Sequence, residues 1–125
     1  MANYNDEGYI TRLASADLSA KQFFIVKQAT DRTVSLSSAA TDFHIGVIQL
    51  GAASGGEVSI AARNKDGTFK VAAGAAITAG TFLTADSTGR AVSTTTPNDE
   101  VIGVAQEAAS AAGQIIEYLP LSRKY

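Results

Sequence analysis

The chain has 125 residues, a net charge of -2, 18% charged residues, no cysteine and no tryptophan. That is one domain's worth of chain with a short arm, too weakly charged to hold nucleic acid by phosphate neutralisation and with no thiolate for catalysis, metal binding or disulfides. No apolar run approaches the roughly 18 residues of a membrane helix, and the start, MANYNDEGYI, has neither a basic nor an apolar leader segment, so the expectation is a soluble protein made in the cytoplasm and not exported.

Residues 1–12 read as an extended N-terminal arm, polar and turn-rich, with Tyr4 and Tyr9 as its large groups before Ile10. Ser15 is placed to cap a short helical turn. QFFIVKQ then reads as a strand, Asp31-Arg32 as a turn, and TVSLS as the alternating partner strand of a hairpin. HIGVIQL is a strand carrying Gly46, where a glycine marks a bend or a close backbone approach. GAASGG is a loop and EVSIAAR the answering strand. NKDGTFKV carries the Asp66-Gly67 signal of a tight hairpin. AAGAAITAG leads into TFLTADSTGRAVS, a second compact hairpin. Long amphipathic helices are missing, and small residues with many Val and Ile predict an all-β chain.

The most informative feature is a repeat. Residues 42–61 and 99–118 align without a gap, with Asp42/Asp99, Ile45/Ile102, Gly46/Gly103, Val47/Val104, Gln49/Gln106, Ala52/Ala109 and Gly56/Gly113 identical. Upstream the match extends with a one-residue shift, through Phe24/Phe82, Ile25/Leu83, Arg32/Arg90, Val34/Val92 and Ser35/Ser93. Residues 13–125 therefore read as a single β-domain, a small barrel or sandwich built from two similar halves at about 21–61 and 80–118. The two copies are expected to cover each other's apolar face and close one barrel or sandwich.

No catalytic set accompanies this architecture. The lone histidine, His44, faces Val101 in the other copy, so a structural role is expected; a zinc site needs three or four ligands. Asp42 and Asp99 form a repeated pair of carboxylates, read as turn formers rather than a two-carboxylate site. Asp86 to Gly89 lacks the order of a calcium loop, and no phosphate-cradling glycine motif or nucleophile elbow is present. The expectation is no enzyme, no cofactor and no metal.

In chain order, ADLSAKQFFIVK, TDFHIGVIQLGAASGGEVSIAA, GAAITAGTFLTADSTGRAV and DEVIGVAQEAASAAGQIIEYLP resemble the capsid cement, or head decoration, proteins of tailed bacteriophages, from about Ser15 to Pro120. The resemblance implies a compact β-domain on the outer capsid surface of the virion, bound to the major capsid protein, often as a homotrimer, with no nucleic acid or membrane partner. Related sequences occur in head fibres, which leaves a receptor- or carbohydrate-binding head-fibre module as the alternative. The expected capsid contacts are Tyr4, Tyr9, Ile10 and Arg12 of the arm, pairing with an exposed strand edge.

Overall fold

The computed structural model describes residues 9–63 and 67–125. These residues contain ten strands: β1 (Tyr9–Ala14), β2 (Ile25–Thr30), β3 (Thr33–Leu36), β4 (His44–Leu50), β5 (Glu57–Ala62), β6 (Phe69–Ala72), β7 (Phe82–Ala85), β8 (Ala91–Ser93), β9 (Glu100–Ala105) and β10 (Ile115–Lys124). No helix forms among them. At the expected helical turn the chain bends instead, and the side chain that organises it is Asp17, whose carboxylate accepts from the Ser19 amide at 3.0 Å and hydroxyl at 2.7 Å.

The first half is a closed barrel in the order β1-β3-β2-β4-β5, and the second is a five-stranded sheet in the order β6-β10-β9-β7-β8. The orders are the same once β1 is matched to β6. Each lies antiparallel beside the last strand of its half, and each reaches the third strand through a parallel contact. In the first half that contact is a strand pairing, Leu13 with Thr33 and Ala14 with Val34. In the second it shrinks to the single bridge Ala73–Ala91. The duplicated unit is thus five strands. Closure occurs within the first copy, not between copies as the sequence reading expected. Residues 9–12, expected in the arm, are part of β1; residues 1–8 lie outside the described residues.

Two further readings change. EVSIAAR and TFKV do not form a hairpin across Asp66-Gly67: β5 pairs with β1 and β4, whereas β6 pairs with β10, so this connection crosses from one half to the other. The upstream repeat also needs no shift. Ile25 pairs with Val47 and Val26 with Gly46, while Phe82 pairs with Val104 and Leu83 with Gly103. Ile25 therefore corresponds to Phe82 and Val26 to Leu83, in the same frame as the two Ile-Gly-Val strands; it is the exit strand of the 42–61/99–118 block that is displaced by a residue, since Val47 pairs with Ala61 but Val104 with Leu119. A one-residue slip would turn every side chain to the opposite face of the sheet.

Two cores follow from this alternation. Val26, Val34, Ile48, Val58 and Ile60 fill the first barrel. Ile25 and Val47, on the other face of β2 and β4, join Val71, Leu83, Ile102, Ile116 and Tyr118 in the core of the second half. β2 and β4 are thereby buried on both faces where the halves meet. The gap between β6 and β8 is plugged by residues 23–25 of the first copy: Ala72 N donates to Phe23 O at 2.9 Å, and Ile25 N donates to Gly89 O at 2.6 Å. The repeated glycines permit close backbone approach. A Cβ on Gly46 would stand 2.2 Å from Ala61 O, and one on Gly103 2.3 Å from Leu119 O.

Candidate functional site

The groups with chemical potential lie mostly at the seam between the halves, and each is held by structural partners. Arg63, 5% exposed, follows β5 and reaches across. Its guanidinium donates to Val101 O at 2.8 Å, Arg123 O at 2.8 Å and Glu100 Oε1 at 2.9 Å. Glu100 begins β9, so this buried ion pair ties the first half to the second.

His44 is fully buried beside it. Its Nδ1 lies 2.8 Å from Ser37 Oγ and its Nε2 lies 3.3 Å from Thr84 Oγ1, and that hydroxyl in turn donates to Ala40 O at 3.1 Å. Burial, reinforced by the Arg63 charge, pulls the imidazole pKa down to about 4, only partly countered by Asp42 and Glu100. The ring is therefore neutral at pH 7 and acts as a hydrogen-bonded spacer. Asp42 holds a turn, accepting from the Ser38 amide at 2.9 Å and the Ala39 amide at 3.1 Å, with Lys27 at 3.2 Å. Its burial, which favours protonation, is outweighed by these donors, so its carboxyl titrates below the usual range. Asp99 accepts from Thr94 Oγ1 at 2.5 Å. No group of three or more potential metal-ligating His, Cys, Asp or Glu residues forms among the described residues.

The predicted capsid-contact residues divide. Tyr4 lies outside the described residues. Tyr9 opens β1, its backbone in register with Ala61. Ile10 is half-buried against the barrel core and lines a groove of about 440 Å³ with Phe43, Ile45, Ala62, Arg63 and Ser122. Arg12 is half-buried, donates to Thr11 O at 2.8 Å and lines a separate cleft of about 140 Å³ with Arg32 and Glu57. Thus Ile10 and Arg12, two residues apart on one strand, border different depressions.

The sequence reading missed the apolar groups that the fold leaves outside. Phe43 is 66% exposed over the Ile10 groove, with the Arg63 guanidinium 5.1 Å from its ring centroid. Across the second sheet Phe82, Val104 and Leu119 are register neighbours on β7, β9 and β10, none of them buried. Nothing local marks Val104 as different from its repeat mate Val47. Only the packing of the halves exposes one and buries the other.

Comparison with known proteins places this architecture. The phage cement protein family matches residues 5–119. A search of curated proteins finds no match. Among solved structures, the N base of the head fiber gp8.5 of bacteriophage phi29 is similar, with a TM-score of 0.68 and 25% identity over 94% of this chain and 96% of that one. With a family match spanning nearly all ten strands, the chain belongs to the phage cement protein family.

Proposed function

We propose that this chain is a cement protein of the virion that binds the outer surface of an assembled phage capsid and stabilises the shell. The observation that carries this reading is the family match over residues 5–119. The physical reading agrees with it. The chain invests its buried polar groups in tying two β-units together, which makes a stiff plug, and its chemically capable residues are held as structural parts. The partner is the major capsid protein, and the working form is a homotrimer. It catalyses no reaction and uses no cofactor, metal, nucleic acid or membrane. Many copies on one lattice gain from simultaneous engagement.

The anchor in this proposal is the N-terminal segment, Tyr4 and Tyr9 with Ile10 and Arg12 where the segment enters the barrel. The test is co-sedimentation with undecorated, expanded capsids. Stoichiometric pelleting is expected, and its absence ends the cement reading. Deleting residues 1–8, which leaves β1 whole, is expected to weaken pelleting while the β spectrum persists. Equal pelleting by the truncated chain removes the segment as anchor. The head-fiber likeness favours a second reading, a base module that carries a receptor- or carbohydrate-binding role. Specific glycan-array hits by a chain that does not bind capsids select it.

A further inference from the structure

The connection between β3 and β4, residues 37–42, lies across the seam. Among the described residues its hydrogen bonds to the second half converge on one atom. Ala40 O accepts the Glu100 amide at 2.8 Å and the Thr84 hydroxyl at 3.1 Å. Ser38, Ala39 and Thr41 around it are exposed. The rest of the connection is bonded within its own half: Ser37 N donates to Ile25 O at 2.9 Å, and Asp42 accepts from the Ser38 and Ala39 amides. His44 stands against this strap, fully buried, with Ser37 on one ring nitrogen and Thr84 on the other.

These partners fix where the ring carries its hydrogen. The Thr84 hydroxyl gives its own hydrogen to Ala40 O, so towards the ring it accepts, and Nε2 donates. Nδ1 is then the acceptor and takes the Ser37 hydroxyl hydrogen. A second ring proton has to go on Nδ1, where it meets that hydrogen head-on. The Ser37 hydroxyl must turn away from a network in which, among the described residues, every buried side-chain nitrogen and oxygen is already partnered. The new charge also falls in the field of Arg63, whose guanidinium lies 3.4 Å from His44 O. The other charges around it are engaged elsewhere. Glu100 on β9 pairs with Arg63 and is approached by Lys124 of β10, and Asp42 in the strap pairs with Lys27 of β2. β7 brings Thr84 and no charge. The second half supplies the contrast: its matching connection, 94–99, is closed on itself by Thr94 Oγ1 on Asp99, and Val101 stands in place of the histidine.

We infer that residues 37–42 form an acid-released strap: a proton on His44 frees the strap from the second half while both β-units stay folded. Any opening that wets the ring takes up a proton that the closed seam refuses, so acid favours it by up to about tenfold per pH unit. Release of the strap is the least costly such opening, because the segment is short, exposed and held across the seam by two hydrogen bonds to one carbonyl. Phe43, 66% exposed over the Ile10 groove, follows the strap directly, so release loosens that border as well.

The test is amide hydrogen exchange of the full chain by NMR from pH 6.5 to pH 4.5, with each rate divided by its intrinsic rate at that pH. The Glu100 amide reports the strap; the Ile48 amide, on Phe24 O, and the Ala105 amide, on Thr81 O, report the two cores. With a folded histidine pKa of about 4 against the ordinary 6.5, Glu100 is expected to open about 40-fold more at pH 4.5 than at pH 6.5. It is expected to depend little on low urea and to stay less protected than Ile48 and Ala105 at every pH. His44→Gln keeps a neutral donor for Thr84 and is expected to flatten the Glu100 response. Should that variant fail to fold, the nitrogen shifts of the lone imidazole in the wild type give the second measurement: a neutral ring at pH 7 with its hydrogen on Nε2. A Glu100 response that is flat, that matches the core amides in size and urea dependence, or that persists in folded His44→Gln overturns the inference. So does a charged ring, or a hydrogen on Nδ1, at pH 7. Capsid pelleting plays no part in these readings, so the cement reading stands or falls separately.

Discussion

Phe23 and Gly80 occupy the same place in the two halves. The Phe23 amide donates to Ile48 O at 2.7 Å, and the Gly80 amide donates to Ala105 O at 2.7 Å, the matching residue. Both have left-handed backbone, with φ of 71° at Phe23 and 88° at Gly80. The second half uses the residue that adopts this conformation freely; the first half forces an aromatic into it. The compensation is the seam: the Phe23 ring packs on the second core and tilts against Phe69 at 5.9 Å, and its carbonyl receives the Ala72 amide.

This relationship sets the sign of two substitutions. Gly80→Ala meets no atom within 4 Å of the new Cβ, so its cost is backbone strain alone, about 1 kcal/mol. Phe23→Gly relieves similar strain but loses a partly buried aromatic side chain, for a net destabilisation of about 1–2 kcal/mol. Urea midpoints at constant slope measure both. A Phe23→Gly chain as stable as the wild type removes the seam as the reason for the strained phenylalanine.

The Arg63–Glu100 pair is nearly dry, with side chains 5% and 9% exposed, so removing one partner strands the other. Glu100→Ala leaves the guanidinium with carbonyl acceptors and, among the described residues, no paired counter-charge, and is expected to cost about 3 kcal/mol. Arg63→Met leaves Glu100, among the described residues, with Lys124 at 3.8 Å as its remaining ion-pair partner, for a comparable loss. The double variant is expected to lose clearly less than the sum. Additive losses in a double-mutant cycle by chemical denaturation contradict a coupled pair.

His44 links stability to pH in a stated direction. Its folded pKa of about 4 lies below the ordinary 6.5, so between these values the unfolded chain binds a proton that the folded chain refuses. The histidine's contribution is fully present above pH 6.5 and drains away as pH falls towards 4, by at most about 3 kcal/mol. Asp42, whose pKa is lowered from 3.8, adds its own loss only at more acid pH. Unfolding followed from pH 7 to pH 4.5 is expected to show this slope in the wild type and a flatter one in His44→Val. The variant is less stable at pH 7, because Ser37 and Thr84 lose their partner. Equal slopes refute the assignment.

Much of the fold was readable because its signals are local. Alternation placed TVSLS on β3, turn residues placed both compact hairpins, and the doubled Ile-Gly-Val strands announced two similar halves. The frame of the repeat upstream was misread because identical letters in a run rich in small and β-branched residues match equally well one position out, and only cross-strand register distinguishes the two frames. The Asp66-Gly67 signal was misread for a related reason: turn chemistry says that the chain reverses, not which sheet it enters next.

By itself the sequence determined an all-β chain, its duplication, its close-approach glycines and the family to which it belongs. These depend on side-chain size, backbone freedom and residue order, which are properties of the chain. Only the tertiary structure decided that the first copy closes on itself through β1, that Phe23 to Ile25 plug the second, and that His44 and Arg63 are buried. It also decided that Val47 is covered while Val104 is not. The two valines sit in the same local sequence. What separates them is which neighbour the assembled halves bring over each one, and burial is a property of that neighbour.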